Sequence, residues 1–266
     1  MFEENNLSVF DALSKSIRNS ARLCYSEIEN IQFEENMTPS GMSHLQSAKL
    51  CTFFINRILC LMDIWFGSTH FFRDSLSEEL DIESIIEGMG KHLAGLLPTM
   101  KPEIKYSPRA AEGSTVITER SRLEFILLNI LYCCARNERT GSKLKITFGV
   151  TEKHNDVIFH IHDNCKNLDP CLSDDPITEL NRKIDNASPN NAAMLLSIAV
   201  ADKTVREIGG HIEYTPLKHG NRFDIHVPRA ADALKERMSS PVIYTPNTSL
   251  FQQMLADVIA EIGGLR

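Results

Sequence analysis

Two long apolar stripes follow one another in the first third of the chain, and they constrain its architecture most. Phe10, Leu13, Ile17, Cys24, Ile28 and Ile31 recur at intervals of three, four or seven residues. That spacing is one face of a helix from about Ser8 to Phe33. Asn36 to Gly41, with Pro39 and Gly41, predicts a turn. Leu50, Phe54, Ile58, Leu61 and Trp65 then form a second stripe. Two helices in a hairpin cannot cover two wide apolar faces alone, whereas a second copy completes a four-helix bundle. The pattern predicts a dimerisation hairpin over residues 1–75 and a homodimer.

Beyond the hairpin the pattern mixes helix and strand. Leu80 to Leu97 reads as a helix ended by Pro98, and Val116–Ile117 as a short strand. Arg122 to Arg136 is a strongly apolar helix. Leu144, Ile146, Phe148 and Val150 alternate, as do Val157, Phe159 and Ile161, around a turn at His154–Asp156. Asp163 to Asn190 is polar and predicts a long loop with a short helix at Ile177–Ile184. Ala193 to Ile208 is helical up to Gly209-Gly210. Strands at Tyr214 and over Phe223 to Val227 end at Pro228, and a tail helix spans Leu250 to Ile262. The fold class is α+β, a sandwich with helices on one sheet face. The domains are residues 76–228 and a tail, 229–266.

Bulk properties narrow the partners. The net charge of −7 would repel a polyanion, so nucleic acid is excluded. The longest apolar run, Leu50 to Phe66, contains Asn56, Arg57 and Asp63 and cannot supply a membrane span. Met1 to Asn6 is acidic and has no apolar core of a signal peptide. Cys24, Cys51, Cys60, Cys133, Cys134, Cys165 and Cys171 are odd in number and mostly in apolar surroundings. They predict reduced thiols and a cytoplasmic protein.

Five segments carry more specific information. They are Leu13 to Ala21 (LSKSIRNSA), Arg122 to Leu131 (RLEFILLNIL), Ile161 to Asn167 (IHDNCKN), Asn191 to Ile198 (NAAMLLSI), and Gly209 to Ile212 with Gly220 to Pro228. In this order they resemble the cytoplasmic core of sensor histidine kinases, a dimerising helical hairpin followed by an ATPase domain of the gyrase, heat-shock-ninety and histidine-kinase type. The resemblance covers about Ala12 to Pro228. It implies a phosphoacceptor box in which Ile17, Arg18 and Asn19 agree. The phosphorylated histidine, however, falls on Lys15 and its acidic neighbour on Ser16. A protonated lysine has no lone pair with which to attack phosphorus; read alone, Lys15 is a solvated surface charge.

The same resemblance places a vestigial nucleotide site. Asn129 matches the first asparagine of the asparagine box. The Mg²⁺-ligating asparagine becomes Cys133, a poor ligand for a hard cation. Arg136 stands where a lysine contacts phosphate, and keeps its charge. Asp163 matches the carboxylate that accepts the adenine amino group, and the two glycines after it become Cys165 and Asn167. The glycines of the phosphate-cradling loop are gone, with Ala193 and Leu195 at two of their positions and Met194 adding bulk. Asn221 replaces the threonine after the last glycine. Fold-building residues survive: Leu128, Asn129, Leu196, Ile198, Gly210, Phe223 and Pro228. The losses are sorted by chemistry, falling on Mg²⁺ and phosphate contacts.

These residues predict a degenerate histidine-kinase-like module of two-component signalling. It would bind a response-regulator receiver domain or a histidine kinase without autophosphorylation. No cofactor is expected beyond weak ATP with Mg²⁺. One alternative is an atypical kinase or ATPase using Asp163, Asn129 and Arg136. Another is a histidine phosphotransferase using His44 or His70. His160, His162, Asp163 and Cys165 are close in sequence, but no C-x-x-C or H-x₃-H spacing supports a metal. They read as strand residues beside a carboxylate.

Overall fold

The computed structural model describes residues 38–65, 77–97, 103–108, 115–138, 143–153, 156–170, 189–228 and 247–256, with isolated positions besides. The chain divides into two compact units, Met1–Phe71 with Ala256–Arg266, and Phe72–Leu255.

The first unit contains helix α1, Pro39–Trp65. It starts inside the stretch expected to be a turn, because proline suits a first helical turn. The Thr38 hydroxyl accepts from Gly41 N at 3.1 Å, as a capping side chain does. Arg57, Cys60, Leu61, Asp63 and Ile64 are buried. Of the expected stripe only Leu61 is fully buried. Leu50, Phe54, Ile58 and Trp65 are half-buried, and Ile55 is exposed. The covered arc of α1 is therefore turned away from the stripe. Upstream, positions 21, 24, 26 and 28 are helical; Ala21 and Ile28 are buried, whereas Cys24, expected on the apolar face, is exposed. Lys15, Ser16 and His70 lie outside the described residues.

The second unit opens with strand β1, Ser77–Asp81, and helix α2, Ile82–Leu96. Asp81 caps α2 by accepting from Ser84 N at 2.6 Å; such a cap contributes about 1 kcal/mol. Strands β2, Glu103–Pro108, and β3, Thr115–Glu119, follow, then helix α3, Arg120–Arg136. Strands β4, Lys145–Lys153, and β5, Asp156–Asp163, precede helix α4, Pro189–Glu207. Strands β6, His211–Leu217, and β7, Gly220–Pro228, and helix α5, Thr248–Met254, complete the unit.

β1 and β3 form an antiparallel pair, and the other strands form one sheet in the order β2-β4-β5-β7-β6. β2 runs parallel to β4; the remaining pairs are antiparallel. The register aligns Phe148 with Ile161, Ile161 with Phe223 and Ile225 with Ile212. These side chains share one buried face, against which α2 and α4 pack, and α3 packs on α4. Each fully buried side chain of this size contributes roughly 1.5–3 kcal/mol.

Three elements depart from expectation. β1 and β2 are strands that the pattern did not predict. α4 begins at Pro189, inside the expected loop, four residues before Ala193. The helix expected at Ile177–Ile184 lies outside the described residues except for Lys183, which is helical. The described part of the tail helix is docked on α3: Asn247 N donates to the buried Glu124 Oε1 at 3.0 Å, and the Asn247 side chain accepts from Leu250 N.

Candidate nucleotide site

Asp163 ends β5 on the covered face of the sheet and is 6% exposed. Its Oδ1 accepts three hydrogen bonds, from Cys165 N at 2.8 Å, Asn221 Nδ2 at 2.9 Å and Asn221 N at 3.1 Å. Its Oδ2 is buried and meets no hydrogen-bond partner of good geometry among the described residues, with the Cys134 thiol beside the carboxylate. An unsatisfied buried carboxylate oxygen is costly, and its persistence is a reason to look for a ligand donor.

Asn221, fully buried at the start of β7, is the hub beside it. Besides Asp163, its amide donates to Lys166 O at 3.0 Å. Its Oδ1 accepts from Leu168 N at 3.0 Å and from the Tyr214 hydroxyl at 2.8 Å. The Tyr214 hydroxyl accepts from Leu168 N at 3.0 Å and shares its one proton between Asn221 Oδ1 and Leu168 O, and burial raises the pKa of its phenol. Gly220 lets the start of β7 and the end of β5 meet. Its φ is +130°, and a Cβ there would run into the Asp163 carbonyl. Sequence reading missed Tyr214 and Gly220 as parts of this cluster. The available signal was the tight Gly220-Asn221 turn into β7.

At the positions matched to metal and phosphate contacts, the described side chains bond to protein. Cys133 is fully buried, and its thiol donates to Met194 O at 3.5 Å, tying α3 to α4. The Cys165 thiol donates to Cys134 O at 3.3 Å. Burial, reinforced by the Asp163 carboxylate, pushes the Cys134 thiol well above its ordinary pKa. It stays protonated and offers no thiolate to a metal. Asn129 donates its amide to Phe125 O within its own helix, at 2.8 Å. Ala193 and Leu195 are buried in the second turn of α4. The N–H groups of a helix interior bond to its own carbonyls, so no glycine-like cradle of free N–H groups exists at those positions. Arg136 is half-buried in the last turn of α3, and Asn167 is exposed. The donor set thus fits an adenine-type amino group at Asp163. It does not fit Mg²⁺ at Cys133 or phosphates at Ala193 and Leu195.

The cluster suggested by proximity in sequence is split by the sheet. His160 and His162 point to the open face, and Asp163 and Cys165 do not share it. His160 is engaged by Thr151 Oγ1 at 2.7 Å and Asp224 Oδ1 at 2.6 Å.

No protein-family model matches the chain, and no curated protein sequence matches it. Solved structures do. AdeS, a histidine kinase of Acinetobacter baumannii, has a TM-score of 0.52 at 14% identity over 80% of this chain and 97% of its own. The fold is that of the histidine-kinase ATPase domain. ShkA, full-length and in complex with AMPPNP, has a TM-score of 0.58 at 15% identity over 84% of this chain. This chain spans 46% of ShkA. The histidine kinase ThkA, in complex with the response regulator TrrA, has a TM-score of 0.53 at 16% identity, over 86% of this chain and 64% of its own. No helix among the described residues is long and apolar enough to cross a membrane.

Proposed function

We propose that this chain is a regulatory, histidine-kinase-like signalling module of the cytoplasm that docks a receiver domain, or a kinase, without phosphorylating itself. The observation that carries the reading is how Cys133 and the start of α4 are used. Cys133 is bonded to Met194 O, and α4 runs as helix through the positions where a glycine loop would cradle phosphate. The complex of ThkA with a response regulator supports a receiver domain as the class of partner. The half-buried Leu50, Phe54, Ile58 and Trp65 and the exposed Ile55 on α1 support a second copy as the cover of that face.

One observation favours a second reading, an enzyme that still uses nucleotide: the buried Asp163 Oδ2 has room in its hydrogen bonding for an amino donor. Calorimetry separates the two. On the regulatory reading, ATP with Mg²⁺ binds no better than adenosine, with a dissociation constant of about 1 mM or weaker. Low-micromolar, Mg²⁺-dependent ATP binding, or acid-labile phosphate on the protein after incubation with ATP, favours the enzyme and rejects the regulatory reading.

A further inference from the structure

Four of the nine histidines, His160, His162, His211 and His226, stand on the open face of the five-stranded sheet. The register sets His211 of β6 directly opposite His226 of β7. Glu213, two residues along β6, points to the same side. The two imidazoles stack with centroids 4.1 Å apart and planes 17° apart. The Glu213 carboxylate straddles them: Oε1 is 3.5 Å from His211 Nε2, and Oε2 is 3.7 Å from His226 Nε2. Both separations are too long for hydrogen bonds. His226 Nε2 is buried and meets no hydrogen-bond partner among the described residues.

The two carboxylate–imidazole separations are close to those of ligands around a metal. Zn²⁺ held at about 2.0–2.2 Å by tetrahedral nitrogen and oxygen ligands separates the ligand atoms by roughly 3.3–3.5 Å. The three donors here lie within 4.8 Å of one another, so small side-chain rotations close the set. We propose that His211, Glu213 and His226 bind one divalent transition-metal ion of the Zn²⁺ class, with a fourth position open to water or a partner's donor. Two imidazoles and one carboxylate suit zinc, nickel, cobalt or copper, whereas magnesium and calcium favour oxygen ligands throughout. A carboxylate stands near the far side of His226, with Asp156 Oδ2 3.8 Å from Nδ1, beyond a hydrogen bond here and brought within one by a side-chain rotation. A carboxylate behind a ligating imidazole fixes its tautomer and orientation.

The neighbouring groups leave this set available. His160 is engaged by Thr151 and Asp224, and the Arg222 charge is taken up by Asp224 through Nε at 2.8 and 2.7 Å. The concavity on this face, about 710 Å³, is lined by Glu213, His226 and Asp224 among others and has room for a fourth ligand. The site is on the opposite face of the sheet from Asp163, and the proposal does not depend on nucleotide binding or partner docking.

The test is a titration of the untagged, chelator-stripped full chain with Zn²⁺ near neutral pH, followed by Co²⁺ as a spectroscopic probe. One equivalent of Zn²⁺ binds at low-micromolar concentration or below. Co²⁺ gives visible d–d bands without the near-ultraviolet charge-transfer bands of thiolate ligation. His211→Ala and His226→Ala each weaken Zn²⁺ at least about a hundredfold, and Asp156→Asn about tenfold. His160→Ala leaves the affinity within about twofold, because additivity holds for a residue outside the set. Glu213 is 61% exposed, so Glu213→Gln keeps the fold and loses affinity even where a histidine variant fails to fold. Absence of stoichiometric Zn²⁺ binding, thiolate bands with Co²⁺, or unchanged affinity in Glu213→Gln would each overturn the proposal.

Discussion

The two faces of the five-stranded sheet are built from alternate residues of the same strands, yet they have opposite relations to ligand chemistry. On the covered face Asp163 and Asn221, with Cys165 just beyond β5, stand where a nucleotide site is expected. Their hydrogen-bonding capacity is turned mostly inward, onto one another and onto Lys166 and Leu168. On the open face the polar groups of β5, β6 and β7 lie side by side with donors left over, as at His226 Nε2. In a packed interior polar groups are drawn into structural contacts, because an unused polar group there is costly. The open face is more polar, and changes in its side chains can alter a binding geometry with little effect on the apolar core.

The largest test of this contrast compares two residues of β5. Phe159 is buried on the covered face and His162 is half-buried on the open one. Phe159→Ala is expected to cost about 3–5 kcal/mol through the cavity it leaves. His162→Ala should cost less than about 1 kcal/mol, as a substitution away from the core does. Burial, followed by the nearby Arg222, lowers the His162 pKa, so its imidazole is neutral near pH 7 and its removal breaks no ion pair there. Urea denaturation measures both. Equal costs would mean that the open face is covered in solution.

A second test asks whether Asn221 is structural. Asn221→Ala removes one of the two side-chain acceptors of Leu168 N, the Tyr214 hydroxyl being the other, and takes two donors' worth of support from around Asp163 and Lys166 O, so a loss of about 1–2 kcal/mol is expected. Asn221→Thr, the family's residue, should recover part of it. An unaltered midpoint in the alanine variant would return Asn221 to the ligand-contacting class.

These residues also show what was legible in the sequence. The covered face was: strict alternation at Leu144 to Val150 and Val157 to Ile161 marks half-buried strands, and β4 and β5 lie there. β1 was hidden because Ser77-Glu78-Glu79-Leu80-Asp81 has poor strand propensity and is a strand by virtue of its pairing, Leu80 opposite Val116. β2 was hidden because Lys105, Ser107 and Pro108 interrupt its apolar residues; its partner is the parallel strand β4, about 40 residues downstream. Pro189 looked like loop, although proline suits a first helical turn. The Cys133–Met194 bond and the His211–His226 pair depend on contacts and registers that spacing along the chain does not encode. Asp163 was legible as a strand-end carboxylate, and β5 ends there, but the inward bonding of its neighbour Asn221 was not.

A third test replaces Cys133 with the family's asparagine. Cys133→Asn puts a larger polar side chain into a fully buried position and removes the bond to Met194 O. The expected loss is about 1–2 kcal/mol. If α4 closes the phosphate side, calorimetry detects no gain in Mg²⁺-dependent ATP binding. Recovery of tight binding by this one substitution would show that the covered face had lost a ligand without losing its site.

The smallest effect belongs to the open face and is set by pH. Asp224 of β7 faces His160 of β5, Arg222 of its own strand and, across the pair with β6, Glu213. Burial raises its pKa, but hydrogen bonds from His160 and Arg222 and their charges outweigh that and hold it at about 2, below the ordinary 3.8. A folded-state pKa below the unfolded one means that the ionised carboxylate stabilises the fold above about pH 4. That contribution is lost as pH falls towards 2. His160 and Arg222 are partly exposed, and solvent screening through them leaves about 1 kcal/mol of the effect. Asp224→Asn should therefore be less stable than the parent by about that amount near pH 6. The difference should shrink on acidification, as the parent's own carboxylate gains a proton. Paired urea titrations from pH 6 to the acid limit of folding measure it, and a gap that stays constant or widens towards low pH would place the stabilising contacts of this face elsewhere.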